Sequence, residues 1–335
     1  VEDNVIIAVV DLRGRRVGIA QREAVRRARD VSPPTGIAWR QVVNLRVMAA
    51  ATAPAPRLVT SRSTWAYNRA MEPTRIAVMG AAGRMGRSTL AAIAARGDCM
   101  LAAALVRARG EGEGALDAVA GVFPPAAPLA DRLDPAVAVD VLVDFSGVGG
   151  FDRALQECLA RRIPLVSGST GLSPAQVDAA QRAATRIPVL LAANFSLGVA
   201  LLRRLVASAA AALGPDFDVE ICEVHHRAKV DAPSGTALAL GHAVAAARGQ
   251  NFDVVARFDR HDAPGPRVEG EIGFAVLRAG DVVGEHTVLL ATEGERLELS
   301  HRVSDRTIFA RGAVAAACWI VGRSPGWYDI ADVLS

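Results

Sequence analysis

The chain has 335 residues, enough for two ordinary domains, and its 51% hydrophobic and 22% charged content describes a globular protein. No run of about 18 or more apolar residues would let a helix span a membrane, and four scattered cysteines without a C-x-x-C pair (Cys99, Cys158, Cys222, Cys318) read as free thiols of a reducing, cytoplasmic compartment. The net charge of +3 divides unevenly: residues 1–70 carry twelve arginines against five acids, and the remainder 26 basic residues against 30 acidic ones, which argues against a nucleic-acid-binding core.

Residues 1–70 lack the sustained pattern of a domain. "VIIAVVDL" has the composition of a strand and "AQREAVRRARD" that of a short helix, but "SPPTG" and "ATAPAPRL" break any continuation. Such Arg-rich, acid-poor sequence fits a transit peptide, a disordered extension or upstream read-through. The expectation is a non-essential extension, with Met71 as the natural beginning of the patterned chain.

From residue 75 strand and helix alternate. "RIAVMG" reads as a short buried strand running into the helical "AAGRMGRSTLAAIAARG", closed by Gly97. "MLAAALV" and "VDVLVDFS" are further strands. A helix is expected at about 150–161, then the strand of "IPLVSGST", a helix near 173–185 and the strand of "IPVLLAANFS". Repeated β-α units with continuous apolar strands predict a parallel sheet covered on both faces. After about residue 216 the rhythm changes. "DFDVEICEVHH" alternates, a helix follows "APSG" at about 234–248, and "VEGEIGFAVLR", "GEHTVLLAT" and "ERLELSHRV" read as closely connected strands. This is an α+β unit with a mixed or antiparallel sheet. "TIFARGAVAAACWIVG" returns to a helix that can pack on the first domain.

"GAAGRMG" (Gly80–Gly86) stands at the first strand-to-helix turn. It is not a strict G-x-G-x-x-G, because its second glycine is Gly83. Its position carries the reading: small residues and a helix N-terminus offer free N–H groups and a favourable dipole to a pyrophosphate. The second strand ends at Val106, followed by Arg107 and Arg109. No carboxylate is there for a ribose 2′-hydroxyl, and guanidiniums are suited to a 2′-phosphate. This predicts a preference for NADPH without excluding NADH. Two further loops follow predicted parallel strands, where ligands of open α/β sheets bind. They make Gly168, Ser169, Thr170, Ala193, Asn194 and Phe195 candidates for the nicotinamide side.

"EVHHRAKVDAPSGTA" (Glu223–Ala237) holds the chain's only lysine, Lys229, among 37 arginines. Charge alone does not explain it, since arginine supplies charge everywhere else; an ammonium differs in being able to give up its proton. Asp231 is placed either to orient that lysine or to cap the turn before Pro233. His242 reads as structural and His261 as solvated. His286 and His301 border the site or simply hydrogen-bond within a sheet. The adjacent His225 and His226 lack a carboxylate cluster, so no metal site is expected.

With "GAAGRMG", "STGL", "AANFS", "EVHHRAKVDAPSGTA", "GFAVLRAGDVVGEHT" and "GERLELSHR" in this order, residues 75–335 closely resemble the 4-hydroxy-tetrahydrodipicolinate reductase (dihydrodipicolinate reductase) family. The resemblance implies a Rossmann-like dinucleotide-binding domain, 71–196 plus 307–335, with an inserted α+β domain, 197–306, for substrate binding and homotetramer formation. It implies hydride transfer from NADPH or NADH to C4 of a cyclic dicarboxylate imine, in the diaminopimelate route to lysine. His225 then matches the general acid/base and Lys229 the proton donor. His226, Ser234, Gly235 and Thr236 match substrate-carboxylate contacts. Cofactor contacts map to Gly80, Ala81, Ala82, Gly83, Arg84, Met85, Arg107, Gly168, Ser169, Thr170, Ala192, Ala193, Asn194, Phe195, Arg306 and Phe309. Val106 departs from relatives that use NADH well, which carry a glutamate there. The rival readings are another two-domain NAD(P) amino-acid dehydrogenase and a non-catalytic NADPH-binding sensor. The first has no reason to carry H-H-R-x-K followed by S-G-T, and the second none to keep both His225 and Lys229.

Overall fold

The computed structural model describes residues 72–106, 129–261 and 264–335. The N-terminal 1–70, Arg107 and Arg109 lie outside these residues, so expectations placed on them rest on the sequence.

Seven parallel strands form the first sheet: β1 (Thr74–Met79), β2 (Cys99–Leu105), β3 (Leu129–Ala130), β4 (Val141–Asp144), β5 (Leu165–Ser167), β6 (Pro188–Leu191) and β12 (Gly326–Tyr328), in the order β12-β6-β5-β4-β1-β2-β3. The apolar runs are continuous because both faces are covered. Ile76 and Val78 of β1, with Val143 and Val166, face helices α1 (Arg84–Ala94) and α7 (Thr307–Ile320). Ala77 and Met79, with Leu142 and Leu165, face α2 (Val148–Arg161) and α3 (Pro174–Ala183). Period-two alternation therefore sorts each strand into two cores. Phe151 of α2 is fully buried in the second; truncating such a ring to alanine costs about 3–5 kcal/mol.

Strands β1 and β4 are neighbours at the centre, with connections that run outward in opposite directions. That topological switch point opens a crevice beyond their C-terminal ends. Gly80 follows β1 with φ +79°, and a Cβ there would lie 2.6 Å from the Phe145 carbonyl oxygen after β4. Only glycine permits so close an approach in this conformation.

The second sheet is mixed, in the order β11-β10-β7-β9-β8. Strand β7 (Asp218–His225) pairs in parallel with β9 (Ile272–Arg278) and antiparallel with β10 (Gly284–Thr292). β11 (Glu295–Val303) and the two-residue β8 (Ala256–Arg257) form its edges. One face packs on α4 (Leu197–Leu213) and α5 (Gly235–Ala247) through Leu202, Val206, Leu240, Val244, Ile221 and Val288. Besides the two-residue strands β3 and β8 and a one-turn helix at Phe252–Val255, two elements have no counterpart in the sequence reading. The first is α4, capped by Ser196, whose Oγ accepts from Val199 N. The second is β12 with the 3₁₀ turn Ile330–Leu334, by which the chain's end rejoins the first sheet. A short helix, α6 (Phe252–Val255), follows α5.

Candidate active site

A cleft of about 760 Å³ collects side chains from both sheets. From the first sheet come Met85, Gly168, Thr170, Ala192, Ala193, Asn194 and Phe195, and after β11 come Arg306 and Phe309. From the second come His225, His226, Lys229, Ser234, Gly235 and Thr236. Its size lies within the ordinary range of ligand sites, about 300–1,000 Å³. Gly80, Ala81, Ala82, Gly83 and Arg84 form the turn leading to Met85 and do not line the cleft itself. Ser169 is nearly buried, its hydroxyl donating to Asp144 and accepting from Gly147 N. It therefore holds the β4 and β5 loops together rather than offering its side chain to a ligand.

The first turn of α1 fits an anion. Gly83 is the N-cap, no side chain caps it, and no acidic residue occupies the first turn. A Cβ at Gly86 would stand 2.1 Å from Gly80 O, so helix and turn touch backbone to backbone. The free N–H groups and the helix dipole there suit the pyrophosphate of a dinucleotide. Val106, at the end of β2, is a buried apolar side chain.

Asp144 is completely buried at the end of β4 and accepts from Ser146 N, Ser146 Oγ, Ser167 Oγ and Ser169 Oγ. This carboxylate fixes both loops bordering the crevice. Across the cleft, Asn194 Nδ2 donates to Thr236 Oγ1 at 3.0 Å, while its Oδ1 accepts from Ser196 N. The loop after β6 is thus tied directly to the N-terminus of α5.

His225 ends β7. Its Nδ1 lies 2.5 Å from Glu223 Oε2. Burial drives Glu223 toward higher pKa, but hydrogen bonds and charge from Arg278 and His225 outweigh it and hold the carboxyl below its ordinary range. An ionised carboxylate only accepts, so Nδ1 carries the proton. Nε2 is left without a partner among the described residues, and Gly284 makes room for it, since a Cβ there would approach to 3.0 Å. For His225 itself burial is the largest influence and outweighs Glu223, so its pKa is lowered and the ring is neutral.

Lys229 Nζ donates to both oxygens of Asp231, at 2.7 and 2.8 Å. Asp231 therefore orients the lysine; its side chain is 61% exposed, against 19% for Lys229. His226 Nε2 accepts from Arg306 Nη2 at 2.9 Å. Ser234 caps α5, its Oγ accepting from Ala237 N. The same Oγ sits 2.9 Å from Nε2 of His286, which burial pushes down to about 4. His286 Nδ1 is buried without a partner. Protonation on Nε2 spares Nδ1 from being an orphaned donor and turns the Ser234 hydroxyl proton toward the cleft.

His301 meets Ser196 Oγ at 3.4 Å, behind the loop after β6. His242 stacks against Phe252, and His261 is exposed. Glu223, Arg278, Asp144 and Phe145 were not singled out by the sequence. For Glu223 a signal existed: it stands two residues before His225 on one strand, hence on the same face. Among the described residues, Asp98, Cys99 and Cys318 bring ligand-type atoms within 4.8 Å of one another. Arg96 already clamps the Asp98 carboxylate, however.

Residues 74–195 match the family described as "Dihydrodipicolinate reductase, N-terminus", and residues 198–334 its C-terminal counterpart. The chain belongs to the dihydrodipicolinate reductase family. Among curated relatives, the 4-hydroxy-tetrahydrodipicolinate reductase of Alkalilimnicola ehrlichii is 48% identical over 264 residues, covering 78% of this chain and 98% of the relative. That of Pseudomonas fluorescens is 47% identical over 266 residues, with the same two coverages. A solved dipicolinate-bound dihydrodipicolinate reductase from Paenisporosarcina sp. TG-14 shares the fold, with a TM-score of 0.61 at 24% identity. It covers 77% of this chain and 97% of its own. The parallel Rossmann-like sheet followed by a mixed α+β unit is thus the architecture of this family.

Proposed function

We propose that the cleft reduces 4-hydroxy-tetrahydrodipicolinate to tetrahydrodipicolinate with a nicotinamide dinucleotide, a step of diaminopimelate and lysine biosynthesis. The observation that carries this reading is the meeting, in one cleft, of the loops beyond the parallel sheet with His225, Lys229 and the N-terminus of α5. Residues 71–196 with 307–335 hold the dinucleotide, and residues 197–306 the substrate. The turn Gly80–Met85 takes the pyrophosphate. Gly168 to Thr170, Ala192 to Phe195, Arg306 and Phe309 surround the nicotinamide end. When bound, the dinucleotide supplies a hydride to C4 of the substrate ring.

The substrate's carboxylates require donors. Ser234, Gly235 and Thr236 offer N–H groups and hydroxyls at the start of α5, and His226 stands beside them. The 4-hydroxyl must first leave as water with a proton from the adjacent carbon, giving an alkene conjugated to the imine. Neutral His225, with Nε2 unpartnered, is set to take that proton and pass it to the departing hydroxyl. Hydride addition at C4 then places negative charge on the adjacent carbon, and Lys229 delivers a proton there, which arginine in practice cannot do. Val106, which presents no carboxylate to a 2′-phosphate, supports a preference for NADPH over NADH.

Four free thiols fit a reducing, cytoplasmic setting. A homotetramer is supported by the sheet face turned away from α4 and α5. It presents Val224, Leu277 and Leu289, and Leu277 is 46% exposed; light scattering on the purified chain tests this assembly. Activity is tested by following NADPH and NADH oxidation with substrate formed in situ from pyruvate and aspartate semialdehyde by the condensing synthase. Turnover that collapses in Lys229→Ala supports the reading. No turnover from a folded protein that binds NADPH overturns it and leaves a dinucleotide-binding sensor.

A further inference from the structure

We infer that Glu223 and Arg278 are a positioning pair that sets His225 and the carboxylate-binding turn at Ser234 as one rigid unit. The inference rests on the reductase reading above.

The register of the second sheet brings the pair together. His225 and Arg278 are partners across the parallel strands β7 and β9, and Glu223 is opposite His286 across the antiparallel β7–β10 pair. Glu223 is fully buried. A lone buried carboxylate is costly, so its partners are informative. Oε2 accepts from Arg278 Nη1 at 2.9 Å and faces His225 Nδ1; Oε1 accepts from Arg278 Nη2 at 2.9 Å and from Ser234 N at 3.1 Å. Arg278 Nη2 also donates to Asp231 O at 2.7 Å, in the loop that carries Lys229.

Every hydrogen-bonding direction of this carboxylate is therefore spent on the site. One oxygen holds the acid/base ring, the other the backbone that begins the substrate-binding turn, and the planar guanidinium locks both in the fork geometry that only arginine supplies. A pair serving stability alone has no reason to share its two oxygens between His225 and the N-cap of α5. The arrangement fixes which nitrogen of His225 carries the proton and keeps Nε2 facing the cleft. It also ties that ring and the backbone that begins the carboxylate-binding turn to one and the same carboxylate. Neither residue lines the cleft; both act through His225 and Ser234.

The test compares Glu223→Gln, His225→Asn and the double variant by steady-state NADPH oxidation, with imidazole proton NMR of each protein. Glu223→Gln is expected to lower kcat on the order of 10²-fold or more, the scale of lost acid/base positioning, and to raise substrate KM, with the dissociation constant for NADPH unchanged. Adding it to His225→Asn changes kcat by less than roughly 3-fold, because the carboxylate has no ring left to act through. In the wild type a far-downfield Nδ1 proton reports the Glu223 bond, and it vanishes in Glu223→Gln. If the two kcat losses multiply, or the wild type lacks that proton, the inference is overturned. A wild type that shows the proton but does not turn over overturns the reductase reading instead. Should Glu223→Gln fail to fold, Arg278→Lys keeps the charge and loses the fork. It is expected to lower kcat about 10-fold through the same misplacement, and an unchanged kcat overturns the pairing.

Discussion

Gly86→Ala puts the helix–turn contact to a quantitative test. Gly86 lies in the first turn of α1, and an added Cβ would meet Gly80 O at 2.1 Å, Ala81 Cα at 2.7 Å and Ala81 C at 2.8 Å. All three are backbone atoms, so no rotamer change relieves the clash. Ordinary carbon–carbon contact needs about 3.5–4.0 Å, so helix and turn must separate by roughly 1 Å. Two effects oppose each other. Alanine is better than glycine inside a helix by at most about 1 kcal/mol, whereas overpacking costs about 1–3 kcal/mol and more where backbone must move. The clash wins, leaving a net loss of about 1–2 kcal/mol, or about 2–8 °C in Tm at this size. Binding suffers further, because the displaced N–H groups are those assigned to the pyrophosphate. A misplacement of about 1 Å can cost on the order of 10²-fold, and a loss of at least 10-fold in NADPH affinity is expected. Thermal unfolding with and without saturating NADPH, beside fluorescence titration, measures both. Gly97→Ala, whose Cβ would meet nothing within 4 Å, is the neutral control. A Gly86→Ala protein as stable as wild type, with unchanged NADPH affinity, would refute the reasoning.

Three further outcomes are expected. Lys229→Arg restores charge without a transferable proton, so relative to Lys229→Ala it should recover substrate KM but leave kcat low by on the order of 10²-fold or more; full recovery of kcat would remove the proton-donor role. His286 holds its pKa near 4 where a free imidazole sits at 6.5. As pH falls between those values the unfolded chain binds a proton that the folded chain refuses, so this contribution is complete above pH ~6.5 and is lost toward pH 4, by about 3 kcal/mol in all. Urea unfolding at pH 7 and pH 4.5 should show a smaller difference for His286→Gln than for wild type, and an equal or larger one would contradict the sign. Val106→Glu installs a carboxylate where β2 ends and should move the ratio of kcat/KM toward NADH by about 10-fold or more; an unchanged ratio would mean that cofactor choice is made elsewhere.

The alternation of strand and helix was legible because both faces of the parallel sheet are covered, which forces continuous apolar runs such as "IAVM" and "VLVD". β10 was bounded to the residue, since "GEHTVLLAT" alternates cleanly between a glycine and the β10–β11 turn. α4 escaped although Leu202, Val206 and Ala210 recur every fourth residue as its buried stripe. The loop "AANFSLG" drew the reading to ligand contacts, and Ser196 also serves as a helix cap. β12 is three residues long and exists only because β6 offers an edge, a tertiary cause without a local signature. At the site, His225, Lys229 and the S-G-T turn are contiguous enough to be read as a motif. Arg278 is not: only the parallel register of β7 and β9 sets it beside His225. The role of Ser169 was likewise hidden, because its hydroxyl turns inward to Asp144.

The last strand of the parallel sheet comes from the last residues of the chain. Gly326–Tyr328 pair with Pro188–Leu190, and α7 packs against α1 and beneath the central strands. Gly312 of α7 lies so close to the loop after β6 that a Cβ would collide with the Phe195 carbonyl oxygen. During synthesis, β1 to β6 therefore emerge with one flank bare, and the whole second sheet must be made before the covering helix exists. Such sequence-distant contacts close late and slowly. A chain cut before α7 should display the apolar strand face that aggregates most readily, while a chain lacking only β12 should keep its core and expose an unpaired edge at β6. Closure of the first sheet's core thus waits on α7 and β12, long after the turn assigned to the dinucleotide has been made.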